Sequence, residues 1–278
     1  MKKILIPTDF SVLGDFAYGI AHLLASDIDA EIIAMSVVPG PRGAVYDSMG
    51  RLTNDEGNDY SEWNTRLSLN KEKMISWIED KGDITETISI IGNIDQSILE
   101  ISNDKEVDLI IMGTEGNIQK SFWSKPSHTE FISNHSSIPV LSLKCDRSLL
   151  DLKEILLVSD FLEIEKINLD ILKHIQKSYD SKLVLLKINT KNSNRTEEQV
   201  YADMERFAAV NELENYTKNI YTDDSVESGI GKFSAEQDID LIALGTHQVD
   251  GLSKLFQGSI SDDVVSHLYH PVLTFPLN

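Results

Sequence analysis

Ile239 to Ser259 reads IDLIALGTHQVDGLSKLFQGS, and Val107 to Ser127, VDLIIMGTEGNIQKSFWSKPS, is a weaker copy of it. Each opens with one acidic residue and an apolar run, Leu241-Ile242-Ala243-Leu244 or Leu109-Ile110-Ile111-Met112, followed by Gly-Thr, the pattern of a buried parallel strand entering a loop. Each closes on a residue suited to start a helix. Ser259 and Ser127 are good N-caps, and Ser127-x-x-Glu130 is a capping box, so the first N–H groups of the next helix point back at the loop. A strand, a glycine-containing loop and a helix N-terminus together favour an anion such as phosphate.

The whole chain repeats, with Lys3-Ile4-Leu5-Ile6-Pro7-Thr8-Asp9-Phe10 recurring as Glu154-Ile155-Leu156-Leu157-Val158-Ser159-Asp160-Phe161, an offset of 151. Later the offset is 132: Gly113-Thr114 matches Gly245-Thr246, Ser127 matches Ser259, and Pro139-Val140-Leu141 matches Pro271-Val272-Leu273. The difference places 19 extra residues in the polar stretch Gly40 to Asn64 of the first half. Two domains follow, 1–147 and 148–278.

Each half alternates strands with helices. In the first, strands are expected near 3–7, 31–38, 85–91, 107–112 and 138–143, and helices along the Phe16-Ile20-Leu23-Leu24 stripe, near 67–79 and 95–102, and from Thr129. In the second, helices are expected near 164–178 and 197–211, with a last strand at 272–276. This order gives two tandem, doubly wound, five-stranded and mainly parallel α/β domains, Rossmann-like in architecture. Such sheets bind ligands at the carboxyl ends of their strands where the winding reverses. There the halves bring Pro7-Thr8-Asp9 to Gly113, and Val158-Ser159-Asp160 to Leu244-Gly245-Thr246.

Composition narrows the function. Of 278 residues, 41% are hydrophobic and 25% charged, and no apolar run is long enough to span a bilayer, so a globular, cytoplasmic protein is expected. MKKILIPTDF reads as a strand and not as a signal peptide. The net charge of −20, split as −10 on each side of Arg147, repels nucleic acid and anionic lipid, which excludes both as partners in the absence of a basic patch. Cys145, the one cysteine, reads as an incidental thiol. His267-Leu268-Tyr269-His270 lacks the carboxylate or cysteine of a metal site, and no phosphate loop, dinucleotide loop or nucleophile elbow is present.

At these residues the chain resembles the universal stress protein family in its tandem form, which implies a fold of the adenine nucleotide alpha hydrolase-like kind. The resemblance rests on the first strand ending in an aspartate, on D-L-I-x-x-G-T, on the closing x-P-V-L strand, and on the glycine pattern G-x2-G-x9-G-[S/T]. It implies ATP or another adenine nucleotide in each half, with Mg²⁺ accompanying ATP, the aspartate near adenine and the glycine loop around ribose and phosphates. It also implies pairing of the halves through their last strands, a homodimer, and protein partners in a stress response, with binding and not turnover as the activity. Neither half is complete. The first has Gly113, Gly116 and Ser127 but Pro126 at the third glycine, whereas the second has Gly245, Gly258 and Ser259 but Gln248 at the second. Pro126 has no N–H to donate and Gln248 keeps one, so the second half is the expected site.

Plainer readings stand beside these. Asp9 and Asp160 serve equally as adenine contacts or as helix-start residues, and Lys120, Lys125 and Lys254 face phosphate less often than solvent. His135 and His267, at matched positions, are expected in structural hydrogen bonds. The Gly40–Asn64 excess is expected to be either a mobile lid or partner-binding loop near the first crevice, or a disordered surface insertion.

Overall fold

The computed structural model describes residues 2–41, 44–47, 51–53, 60–114, 127–145, 151–162, 166–191, 193–246 and 270–276. The first unit runs β1 (Lys2–Pro7), α1 (Val12–Ile28), β2 (Ala30–Pro39), α2 (Ser61–Ile78), β3 (Ile84–Gly92), α3 (Ile94–Asp104), β4 (Leu109–Gly113), α4 (His128–His135) and β5 (Val140–Leu143). Its strands lie in the order β3-β2-β1-β4-β5 and every pair is parallel. The second unit runs β6 (Glu154–Val158), α5 (Asp170–Tyr179), β7 (Lys182–Asn189), α6 (Glu197–Val210), β8 (Tyr216–Thr222), α7 (Val226–Glu236), β9 (Leu241–Thr246) and β10 (Val272–Pro276), in the order β8-β7-β6-β9-β10, again parallel. Both are doubly wound, with the winding reversing between β1 and β4 and between β6 and β9.

Side chains of successive strand residues point to opposite faces, and a parallel sheet covered on both faces must be apolar at every position. On one face of the first sheet Leu5, Ile33, Met35, Ile110 and Val140 pack with Ile98 and Ile101 of α3 and Ile132 of α4. Ile4, Ile6, Ile32 and Ala34 alternate with them and are fully buried. Truncating one such Ile to Ala costs about 2–5 kcal/mol. In the second unit Leu156, Val184, Leu186 and Ile188 pack with Ile230 and Phe233 of α7.

The acidic residue ahead of each fourth strand has a structural task. Asp108 accepts the Lys3 N–H at 2.9 Å, and Asp240 accepts those of Lys153 and Glu154, also at 2.9 Å, so each carboxylate fastens the N-terminal end of the unit's first strand to its neighbour. These contacts lie at the end of the sheet opposite the crevice.

Two differences from the expected elements matter. First, α2 begins at Ser61, so its first turn comes out of the Gly40–Asn64 stretch. The described part of that stretch is a small antiparallel bridge, Tyr46 to Leu52, with Leu52 N–H donating to Ile91 at 2.9 Å and Gly40 N–H to Gly92 at 3.1 Å. It therefore sits on the end of β3, two strands from the crevice, where it covers backbone groups of an edge strand. Second, α5 starts at Asp170 and not near Ile164. The buried Asn211 accepts the Ile167 N–H at 3.0 Å and donates to Phe207 at 3.0 Å, Asn168 accepts the Asp170 N–H at 3.2 Å, and Leu169 is buried. Those bonds hold residues 166–169 out of the helix, because a backbone N–H committed to a side chain is lost to the helical ladder.

Candidate functional site

At the carboxyl end of β1 the chain leaves the sheet through a turn built from three side chains. Thr8 N–H donates to Met35 at 2.7 Å, the Thr8 hydroxyl accepts the Phe10 N–H at 2.9 Å, and Asp9 Oδ1 accepts the Ser11 N–H at 3.0 Å. The same turn stands at the end of β6. Ser159 N–H donates to Leu186 at 3.3 Å, Ser159 Oγ accepts the Phe161 N–H at 3.0 Å, and Asp160 Oδ1 accepts the Leu162 N–H at 3.1 Å. In each the phenylalanine is left-handed, φ 66° at Phe10 and 55° at Phe161, which costs on the order of 1 kcal/mol for a residue with a Cβ. Ring packing offsets it, Phe10 against Trp77 at 6.3 Å and Phe161, fully buried, against Phe207 at 5.3 Å.

Each aspartate spends one carboxylate oxygen on the turn and stays exposed, leaving the other oxygen to accept from a ligand at the crevice. The plainer reading of Asp9 and Asp160 as helix caps gives way to a role in the turn that follows the strand. The turn role is local, and neither aspartate bonds the helix as an N-cap: Ser11 precedes α1, and Leu169 precedes α5.

Pro7, Thr8 and Asp9 meet Gly113 because β1 and β4 are neighbours, with Leu5 opposite Ile110. A Cβ at Gly113 would overlap the carbonyl oxygen of Leu13 and lie 2.6 Å from its Cβ, and one at Gly14 would overlap the Thr8 hydroxyl. The first turn of α1 thus sits tightly on the ends of β1 and β4, which demands glycine at both positions whether or not a ligand is present. Beyond Gly113, Thr114 N–H donates to Leu143 at 2.8 Å, and the Thr129 hydroxyl returns to the Gly113 carbonyl at 3.2 Å. The start of α4 is thereby drawn to the end of β4.

At that start Ser127 is the N-cap, its Oγ accepting the Glu130 N–H at 3.2 Å while its own N–H donates to Glu130 Oε2 at 3.4 Å, the capping box expected from sequence. The Ser127 N–H is committed to Glu130, so an anion at α4 would rely on the Ser127 hydroxyl hydrogen and on the N–H groups that follow. Next to it His128 meets Asp95 at 2.6 Å; that hydrogen bond pushes the imidazole pKa up, burial opposing it in part. His135 bonds the Phe131 carbonyl at 2.8 Å and stacks on its ring, a structural role as expected.

In the second unit Val158 pairs with Leu244, both buried, which sets Ser159 and Asp160 beside Gly245 and Thr246. Arg195, in the loop between β7 and α6, donates to the Asp160 carbonyl and to Asp203 at 2.6 Å. A lone arginine in a polar loop carries no motif, so the role of Arg195 emerges only from its contacts with Asp160 and Asp203. Gly116, Pro126, Gln248, Gly258, Ser259, His267 and the loop lysines Lys120, Lys125 and Lys254 lie outside the described residues. Among the described residues no group of three or more His, Cys, Asp or Glu side chains is arranged to hold a metal, and no helix is long and apolar enough to cross a membrane.

The family model described as the Universal stress protein family matches residues 1–144 and 152–276. Universal stress protein MJ0577 of Methanocaldococcus jannaschii is 29% identical over 153 residues, which cover 51% of this chain and 94% of that protein. Universal stress protein MJ0531 of the same organism is 30% identical over 149 residues, 51% of this chain and 82% of its own. A solved universal stress protein from Archaeoglobus fulgidus covers 99% of this chain and 96% of its own with a TM-score of 0.67 at 19% identity, a likeness of fold.

Proposed function

From the premise that the chain belongs to the universal stress protein family, with the domain present twice in tandem, we propose that it binds an adenine nucleotide, chiefly in the second unit, and acts in the stress response through contacts with protein partners that depend on the bound state. The boundary of the two domains is placed between Arg147 and Ser148. The observation that carries this reading is the turn after β6, which leaves one oxygen of Asp160 open at the carboxyl end of the sheet, next to the strand that leads into the glycine loop. A carboxylate there accepts from the amino group of adenine, and the N–H groups of a glycine-containing loop and a helix start suit phosphate. ATP would bring Mg²⁺ with it. The activity in this reading is binding and not turnover.

The units are unequal. Pro126 supplies no N–H just ahead of a cap whose own N–H is taken by Glu130, so the first unit suits a scaffold role. Gly258 and Ser259 keep both donors in sequence. Calorimetric titration of the intact chain with ATP tests this. Gly258→Pro should weaken binding ten-fold or more, since a lost charge-assisted hydrogen bond costs about 1.5–3 kcal/mol. Asp160→Asn keeps the turn acceptor and lowers affinity without lowering stability. If the parent binds no adenine nucleotide, the second unit too is a scaffold; if Gly258→Pro binds as the parent does, the site lies elsewhere.

A further inference from the structure

The peptide unit that joins Asp160 to Phe161 is held at both of its polar atoms. Its N–H donates to Ser159 Oγ at 3.0 Å, and its carbonyl oxygen accepts from the guanidinium of Arg195. In this orientation Phe161 is left-handed, φ 55°, and the Leu162 N–H meets Asp160 Oδ1 at 3.1 Å. Turning the peptide unit over would return φ to the ordinary range and break all three bonds together.

Arg195 is itself aimed by Asp203. One terminal nitrogen donates to Asp203 Oδ2 at 2.6 Å while the other donates to the Asp160 carbonyl, so a single guanidinium spans a carboxylate of α6 and the backbone of the turn. The pair is no solvated surface contact: Arg195 and Asp203 expose 22% and 12% of their side chains, against 59% for Arg206, the second arginine on that carboxylate. Water competes less for charges so enclosed. Thr196, the next residue, is the N-cap of α6 in a capping box with Gln199, which fixes the backbone from which Arg195 extends.

The first unit has the turn without this brace. Phe207 of α6 packs on Phe161 as Trp77 of α2 packs on Phe10, and three residues before each stands a buried methionine, Met204 or Met74, so the two helices correspond at a local offset of 130. That offset puts Lys73 at the place of Asp203 and Thr65 at the place of Arg195. A lysine accepts nothing from a guanidinium, and the Thr65 hydroxyl donates to Ser61 within α2 at 3.0 Å.

We propose that Arg195 is a positioning residue of the second unit's site, holding the Asp160–Phe161 peptide, and with it the Asp160 carboxylate, in the orientation that receives a ligand. It acts through the turn and not on the ligand. The ligand half of this inference rests on the reading that Asp160 accepts from an adenine amino group; the hold on the turn does not.

Amide hydrogen exchange of the full chain by NMR, with ATP titration and urea unfolding, tests it on the parent, Arg195→Met and Arg195→Lys. Arg206 still pairs with Asp203 in both variants, so both should fold. In Arg195→Met, exchange at Phe161 and Leu162 should quicken about ten-fold or more, the worth of a charge-assisted hydrogen bond, beyond any change at the core strand amides of Leu156 and Val184. Its ATP affinity should fall by about three-fold or more, because only molecules with the turn in register are competent. Lysine keeps the charge but reaches only one of the two partners, so Arg195→Lys should resemble Arg195→Met. Parent-like affinity in Arg195→Lys alone would mark a charge effect and overturn positioning. Exchange at Phe161 and Leu162 that changes only in step with the core strands would overturn the hold on the turn, whether or not ATP binds. A loosened turn with parent affinity in Arg195→Met would overturn its part in the site. A parent that binds no ATP would remove the ligand half together with the nucleotide reading, and exchange would still decide the brace.

Discussion

The turns after β1 and β6 are nearly superposable in their bonds, yet the chains that leave them part company at once. Both use a hydroxyl, an aspartate and a left-handed phenylalanine, with corresponding distances of 2.9 and 3.0 Å at the hydroxyl and 3.0 and 3.1 Å at the carboxylate. After the first, α1 begins at Val12; after the second, the position matched at offset 151 is past by seven residues when α5 begins at Asp170. The turn is decided by three consecutive residues, so it repeats wherever they repeat. The helix start is decided by distant partners: Gly113 and Gly14 admit α1 against the strand ends, whereas Asn211 takes the Ile167 N–H and so holds the residues before α5 out of the helix. The crevice of the second unit thus keeps its aspartate while gaining Arg195 beside it.

The largest expected effect comes from closing the space that admits α1. Gly113→Ala sets a methyl against the backbone of Leu13, which cannot swing aside as a side chain end could, and should destabilise the first unit by about 3 kcal/mol, the upper range for overpacking. Trp63 and Trp77 belong to the first unit, so urea unfolding followed by tryptophan fluorescence in a Trp123→Phe background reports that unit. A loss below about 0.5 kcal/mol, the scatter of ordinary surface changes, would show that the α1 contact does not set the difference between the units.

Next comes the tie that delays α5. Asn211→Ala leaves the Ile167 N–H without its acceptor and should cost about 2 kcal/mol, seen in far-ultraviolet circular dichroism, with faster hydrogen exchange at Ile167. Helical content rising in the variant would sharpen the comparison, because it would mean that residues before Asp170 join the helix once released. Unchanged stability and exchange would remove Asn211 as the cause.

Much of this was legible in the sequence because it is written locally. The doubly wound parallel sheet followed from apolar runs alternating with helices, the capping box at Ser127 from two residues three apart, and the repeat of the first-strand end from Asp9-Phe10 and Asp160-Phe161. What was not legible depends on contacts far along the chain. The late start of α5 needs Asn211, more than 40 residues on, and the hydrophobic spacing after Asp160 reads as helix without it. Gly113 was read as room for phosphate, but its immediate neighbour is Leu13, a contact visible only once α1 is laid on the sheet. Asp108 and Asp240 were noticed as a pattern, and their task at the far end of the sheet appeared with the pairing of β1 with β4 and β6 with β9.

The smallest effect concerns pH and belongs to the first unit. The His128 pKa is raised by its hydrogen bond to Asp95, so the folded state holds this proton more firmly than the unfolded chain, whose histidines titrate near 6.5. That contribution is fully present below about pH 6.5 and is lost as pH rises through the folded value. Asp83 runs the other way: burial raises its pKa, but hydrogen bonds from Tyr18 and His22, each at 2.6 Å, outweigh burial and hold it below the usual 3.8. Its contribution is present above that value and is lost as pH falls through the folded one. The first unit should therefore be most stable between about pH 4 and 6.5 with respect to these two groups, with a shallow decline on the alkaline side that comes from His128. The second unit has no counterpart of this pair: the residues matched to Asp95 and His128 are Glu227 and Ile260, and isoleucine does not titrate. Thermal melts of the parent and of His128→Gln, both in the Trp123→Phe background and followed by tryptophan fluorescence between pH 5 and 8, should show the alkaline decline in the parent and a flatter profile in the variant. A decline of equal slope in both would assign it to another group and leave the His128–Asp95 contact without a measurable share in holding α4 to α3.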